Sequence, residues 1–151
     1  MTQFAGSCHC GKLKTSFETR RTPQELGVRT CQCDFCRRHG AVNISDPDGE
    51  VVIKAAENDV LRYRFALKTA DFLICKGCGV YIAAVIGEGG AIRSTINVAG
   101  LRMKDFLEIE EQPMRYGAED VAARVDRRHQ KWTPTRFTDA ALAKSFFGPH
   151  S

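Results

Sequence analysis

At 151 residues, 43% of them apolar, the chain has the length of one domain with a real core, expected to span residues 1–151. A net charge of +4 and an isoelectric point near 8.7 make the surface mildly basic, which suits small anions and falls short of a dedicated nucleic-acid binder. The longest apolar run, residues 80–86, is too short to cross a bilayer, and residues 1–11 hold no apolar leader segment, so a cytoplasmic protein without a membrane partner is expected.

In chain order, Gly6-Ser7-Cys8-His9-Cys10-Gly11 precedes a strand pattern in which Leu13, Thr15 and Phe17 alternate with Lys12, Lys14, Ser16 and Glu18. Cysteines two apart on an extended segment project to one side, and the glycines let the backbone bend around a shared ion. His9, between them, should point away. Residues 20–30, with Pro23 and Gly27, read as a loop leading to Cys31-Gln32-Cys33-Asp34-Phe35-Cys36-Arg37-Arg38-His39-Gly40. Residues 43–49 read as a turn and 51–54 as a short strand. Leu61, Tyr63 and Phe65 alternate with Arg62 and Arg64, a strand with one apolar and one basic face. Residues 71–74 lead into Cys75-Lys76-Gly77-Cys78-Gly79. A strand over 79–86, a hairpin turn at 87–90 and a returning strand over 91–98 follow.

Beyond Gly100 the pattern becomes helical. Residues 118–129 lack Gly and Pro and place Val121 and Val125 on one face, with Arg124, Arg127, Arg128 and Lys131 as a solvated basic face. Trp132-Thr133-Pro134 stops this helix. Thr138 caps a last short helix through Phe146-Phe147, closed by Gly148-Pro149. Trp132 and the phenylalanine pair read as packing residues. Strands come first and helices mostly last, so the fold class is mainly β rather than a βαβ alternation. Its core is expected over about 4–110, with a C-terminal helical extension over about 111–151.

Seven cysteines divide into four plus three. Cys8/Cys10 and Cys75/Cys78 form two glycine-flanked pairs that complete a closed four-thiolate metal site. Cys31, Cys33 and Cys36 can surround a second ion on their own. Zinc held by three protein ligands keeps a position for water or substrate, whereas His39, three residues past Cys36, could close the centre as a fourth ligand. Both possibilities stand at this level. Arg37 and Arg38, beside this centre, could fork onto a substrate carboxylate.

The order C-x-C-G, then C-x-C-x-x-C-R-R-x-G, then C-x-x-C-G resembles the glutathione-dependent formaldehyde-activating family, to which centromere protein V belongs. Ile96-Asn97-Val98 and Arg127-Arg128-x-x-Lys131-Trp132-Thr133-Pro134 extend the resemblance. It implies folded-over antiparallel sheets shared with methionine sulfoxide reductase B and the Mss-type Rab-binding proteins. It also implies two zinc ions per chain, a structural one on Cys8, Cys10, Cys75 and Cys78 and a second on Cys31, Cys33 and Cys36.

Three thiolates make zinc a poor source of hydroxide but leave it good at binding a soft ligand such as another thiol, which loses its proton on binding. The implied activity is a carbon–sulfur lyase or thiol-adduct synthase acting on glutathione, or another thiol, and a small aldehyde such as formaldehyde. Cys31, Cys33 and Cys36 act there through the metal, Arg37 or Arg38 hold a carboxylate, and Asp34 or His39 carry protons. A zinc-stabilised binding module without catalysis is the alternative. A methionine sulfoxide reductase would need a reactive cysteine outside the metal sites, and two occupied sites leave none.

Overall fold

The computed structural model describes residues 1–147 apart from Gly89. The chain opens with a hairpin of β1 (Thr2–Ser7) and β2 (Lys14–Thr19). Leu13, Thr15 and Phe17 are buried as their alternation requires. The expected loop over 20–30 holds two elements instead: α1 (Pro23–Leu26), capped by Thr22, and β3 (Val28–Cys31). Next come α2 (Asp34–His39), β4 (Asn43–Ile44), β5 (Glu50–Lys54), β6 (Val60–Tyr63), β7 (Asp71–Cys75), β8 (Tyr81–Glu88) and β9 (Ala91–Asn97). Gly87 and Glu88 belong to β8, and Gly89 of the expected turn lies outside the described residues. After α3 (Val98–Leu101) come β10 (Glu111–Met114), α4 (Val121–Lys131), β11 (Thr133–Phe137) and α5 (Ala140–Ser145). Asp139 caps α5, not Thr138, because its carboxylate accepts from Ala141 and Leu142 N–H. Gly148-Pro149, expected to close that helix, also lie outside the described residues.

All eleven strands of the described residues join one sheet, so the mainly-β expectation holds. One path runs β1-β2-β5-β11-β9-β4-β3-β10, and β8, β7 and β6 branch from the other edge of β9. The β5–β11 and β3–β10 pairs are parallel and the rest antiparallel, so the sheet is mixed. Residues beyond 110 therefore supply two strands as well as helices.

The second of these strands was hidden in the sequence. In β11, Thr133 and Pro134 pair with β9, and Thr135 to Phe137 pair with β5. Pro134 falls before the β5 pairing begins, where its missing N–H leaves no β5 bond unmade. The core is a continuous cluster in which Phe17, Ile53, Ile82, Ile96, Phe106 and Phe146 are nearly or wholly inaccessible.

The β6 alternation runs opposite to expectation. Leu61 and Tyr63 are 47% and 46% exposed, whereas Arg62 turns inward to Asp71. The buried carboxylate of Asp71 accepts from Arg62 at 2.6 Å and from Arg64 at 2.5 Å. Arg62 also lies 3.9 Å over the Phe146 ring and donates to Ser145. One carboxylate thus fixes the base of the 64–70 loop and, through Arg62, the last helix. Burial opposes the charge on Asp71, but the two guanidinium groups outweigh it and hold its carboxyl below the usual range.

A lowered folded value means that this stabilisation is present above the ordinary carboxylate pKa of about 3.9 and fades as pH falls through the folded one. Asp71→Asn should cost about 3 kcal/mol at pH 7, the low end for a broken buried pair, because the two arginines keep 23% and 29% of their side-chain surface exposed. Urea unfolding of both chains from pH 7 to pH 3 checks this. The difference should shrink below about pH 4.

Candidate metal centres and the cavity above one of them

The first thiol group joins two turns that are far apart in sequence. Cys8 and Cys10 come from the β1–β2 turn, and Cys75 and Cys78 from the β7–β8 turn. Their four sulfurs lie within 4.8 Å of one another, with Cys10 Sγ 3.5 Å from Cys75 Sγ and 3.8 Å from Cys8 Sγ. Cys8 to Cys10 form a turn rather than the extended segment expected, because Cys8 N–H bonds the Leu13 carbonyl at 2.9 Å. The second turn repeats this bond, from Cys75 N–H to the Val80 carbonyl at 3.0 Å. Gly11 at φ 84° and Gly79 at φ 78° permit the two reversals.

Backbone donors face these sulfurs. Leu13 N–H reaches Cys8 Sγ and Gly77 N–H reaches Cys75 Sγ, each at 3.3 Å. Burial pushes the Cys75 thiol up to about 12. Burial also opposes ionisation of Cys78, but N–H groups of Cys10 and Val80 bring it down to about 6. Such a set fits a thiophilic cation, which would replace the remaining thiol protons. His9 is exposed and stands outside the sulfur group.

The second group is local. Cys33 caps α2, its sulfur accepting the Cys36 N–H at 3.4 Å, and this single turn brings Cys31, Cys33 and Cys36 within 4.8 Å of one another. Gly40, in the left-handed region at φ 58°, ends the helix. Buried Asn97 then fixes the following chain, accepting from Val42 N–H at 3.0 Å and donating to the Tyr81 carbonyl at 2.9 Å. The thiols rest on an aromatic bed, with Phe35 5.2 Å from Tyr81 and 4.9 Å from Phe72. Hydrogen bonds from the Cys31 and Cys36 thiols bring the Cys33 thiol down to about 2. The same contacts, with burial, raise Cys36, and Cys31 is raised chiefly through its bond to Cys33. The three thiols thus differ in acidity, and a bound cation would displace the protons they retain.

These three thiols line a cavity of about 980 Å³, and none of the other four cysteines does. Its apolar lining is formed by Phe65, Leu67, Phe72, Met114 and Trp132. Cationic side chains line it too, and here the expectation of a solvated α4 face fails for all but exposed Lys131. Arg124, Arg127, Arg128 and Lys131 all line the cavity, with Arg29 and Arg115 beside them. Arg128 is only 6% exposed, lies 4.8 Å over the Trp132 ring and donates to Thr69 Oγ1 at 2.6 Å. Val121, expected inside, is 49% exposed. The guanidinium stacks on an indole and so fills the packing position that an aliphatic residue was expected to fill.

The residues expected to serve the substrate lie elsewhere. Arg37 and Arg38 are exposed on α2 and do not line the cavity, and Arg38 is paired with Asp34 at 2.8 Å in water. Helical spacing explains this placement, since a six-residue helix that turns Cys36 inward turns the next two side chains outward. His39 packs on Phe35 and Tyr81 at 4.5 and 5.6 Å between ring centres and is not gathered with the three sulfurs. Arg29 went unnoticed in the sequence. It gave no signal there, being a lone arginine brought to the cavity by β3.

The sequence profile of the glutathione-dependent formaldehyde-activating enzyme family matches residues 3–111. The chain belongs to that family. The matched stretch holds all seven cysteines and Arg29 and ends before α4, so the other cations of the cavity lie outside it. No curated protein matches the chain significantly. A Rhodobacter sphaeroides protein of known crystal structure is similar at 26% identity and a TM-score of 0.50, over 72% of this chain and 99% of its own.

For this member of the glutathione-dependent formaldehyde-activating enzymes, zinc content by mass should be two ions per chain and fall to one in Cys33→Ser, with the melting temperature nearly unchanged. Cys75→Ser should lower the melting temperature sharply, because it frees two turns 65 residues apart in the chain.

Proposed function

We propose that the protein is a zinc-dependent thiol-adduct synthase, reversible as a carbon–sulfur lyase, acting on glutathione or a similar thiol and an aldehyde such as formaldehyde. The observation that carries this reading is the opening of Cys31, Cys33 and Cys36 onto the cavity, while Cys8, Cys10, Cys75 and Cys78 lie away from it. Cys31, Cys33 and Cys36 would hold the reactive zinc and the other four a structural one. Zinc bound by three sulfurs supplies a position that favours a thiolate over a thiol.

The chain's own groups do the rest. The cationic lining draws in an anionic thiol and holds its carboxylates, a task that passes from Arg37 and Arg38 to Arg29. Phe65, Phe72 and Trp132 exclude water from the reacting carbon. In the addition, the thiol S–H bond breaks, a C–S bond forms, and the carbonyl oxygen takes a proton to become a hydroxyl. No oxidant or reductant is needed. Negative charge developing on that oxygen falls in the field of the arginine wall. Asp34 and His39 stand outside the lining, so neither is retained as a proton carrier.

Exchange spectroscopy by NMR on glutathione, formaldehyde and their adduct should show faster interconversion with zinc-loaded protein than without. Cys33→Ser should lose at least the ~100-fold that removing even an outer metal-site partner can cost. Arg37→Ala should stay within about twofold of the parent, as expected for an exposed residue away from the chemistry. Glutathione binding without accelerated exchange would reject the enzyme and favour a binding module.

A further inference from the structure

The cavity is larger and more strongly cationic than the smallest aldehyde requires. Its volume of about 980 Å³ sits at the top of the ~300–1,000 Å³ range of pockets that enclose drug-sized ligands. Formaldehyde adds only a hydroxymethyl group to its thiol. A polar, flexible peptide thiol so extended would leave Phe65, Leu67, Phe72, Met114 and Trp132 facing water. Covering them contributes about 25 cal/mol per Å² of apolar surface, so a bulky apolar ligand gains where that adduct does not.

Charge points the same way. Six cationic side chains line the cavity, Arg29, Arg115, Arg124, Arg127, Arg128 and Lys131, against the single carboxylate of Glu119. Glu119 is occupied by Arg127 at 2.8 Å and Arg124 at 3.5 Å. Among the described residues, the other four cations form no ion pair with a carboxylate. A three-thiolate zinc centre and the net charge of glutathione would together offset about half of that excess. The Nε of Arg128 is also buried without a hydrogen-bond partner, as is Asn43 Oδ1 in the same lining. A wall that keeps cations unpaired beside an apolar floor is built for an organic anion with a hydrophobic body.

We propose that the electrophile taken by this site is an aromatic or similarly bulky aldehyde bearing a carboxylate, whose thiol adduct spans the cavity from the Cys31/Cys33/Cys36 group to the Arg128/Lys131 wall. This rests on the thiol-adduct reading and narrows its substrate class. The adduct's hydrophobic body lies against Phe72, Leu67 and Trp132, and its carboxylate is met by Arg128 and Lys131. The chemistry is the same redox-neutral addition, with the new C–S bond made at the aryl-bearing carbon and the thiol proton ending on its oxygen.

Trp132 is the chain's one tryptophan and lines the cavity, so its fluorescence reports occupancy without any turnover. Two stable thioethers serve as probes on the zinc-loaded protein, S-(4-carboxybenzyl)glutathione and S-methylglutathione. The carboxybenzyl compound should bind at least ten times more tightly, and equal or weaker binding overturns the proposal. Arg128→Gln should erase most of that preference. Lys131→Gln, at an exposed position, should narrow it even if the buried substitution does not fold. A preference that survives in every folded variant also overturns it. In exchange measurements with glutathione, 4-carboxybenzaldehyde should interconvert at least ten times faster than formaldehyde at equal adduct concentration. Faster exchange of formaldehyde leaves the thiol-adduct function standing and refutes the substrate class. Tight carboxybenzyl binding with no exchange of any aldehyde refutes the function and supports the ligand class.

Discussion

The structure depends on how β11 is held. It takes its first ladder bonds from β9 and its last from β5, and among the described residues no other strand joins the β1-β2-β5 ribbon to the rest of the sheet. Side chains reinforce the junction. Thr133 Oγ1 accepts the Asp46 N–H at 2.8 Å, and buried Asp46 accepts the Thr19 hydroxyl at 2.6 Å. Thr135 and Ser94 share a hydroxyl contact at 2.6 Å. Because α4 runs straight into β11 through Trp132, fixing this strand also fixes where Arg128 and its neighbours stand. A backbone constraint at the sheet's centre thus sets the electrostatics of a cavity wall.

The four-thiol group is a second tie between the same halves, linking the β1–β2 turn to the β7–β8 turn. The two ties differ in kind. Ladder bonds are distributed and individually weak in net terms, about 0.5–1.5 kcal/mol each. A cation on four thiolates concentrates its contribution at one point, and that contribution depends on the metal supply. The three-thiol group has no such structural burden, since one turn of α2 assembles it. Chain separation distinguishes the two groups: one joins turns 65 residues apart, and the other is gathered within a single helical turn and lines the cavity.

What could be read from the sequence was what short-range chemistry decides. Cysteine spacing separates four thiols from three, and the alternation of Leu13, Thr15 and Phe17 marks a strand with its buried face correctly assigned. The missed strands share one cause. Thr133-Pro134-Thr135-Arg136-Phe137 lacks any strand period, and only the neighbouring edges of β9 and β5 make it one. Val28 to Cys31 becomes a strand because β10 and β4 flank it. Arginine is the other source of error. Arg62 and Arg128 look like solvent faces by residue type, but one meets a buried carboxylate and the other an indole ring. Proximity in sequence also misled at Arg37 and Arg38, where the helical turn that gathers the sulfurs sends the adjacent guanidinium groups the opposite way.

The late position of β11 has a consequence for how the protein is made. Until residues 133–137 emerge from the ribosome, β5 and β9 each present backbone groups that, among the described residues, β11 pairs. Sheet borders left open in this way recruit other strands, including those of nascent neighbours. A metal ion captured early by Cys8, Cys10, Cys75 and Cys78, all of which emerge before β9, would hold the half-built sheet in register until its missing strand arrives.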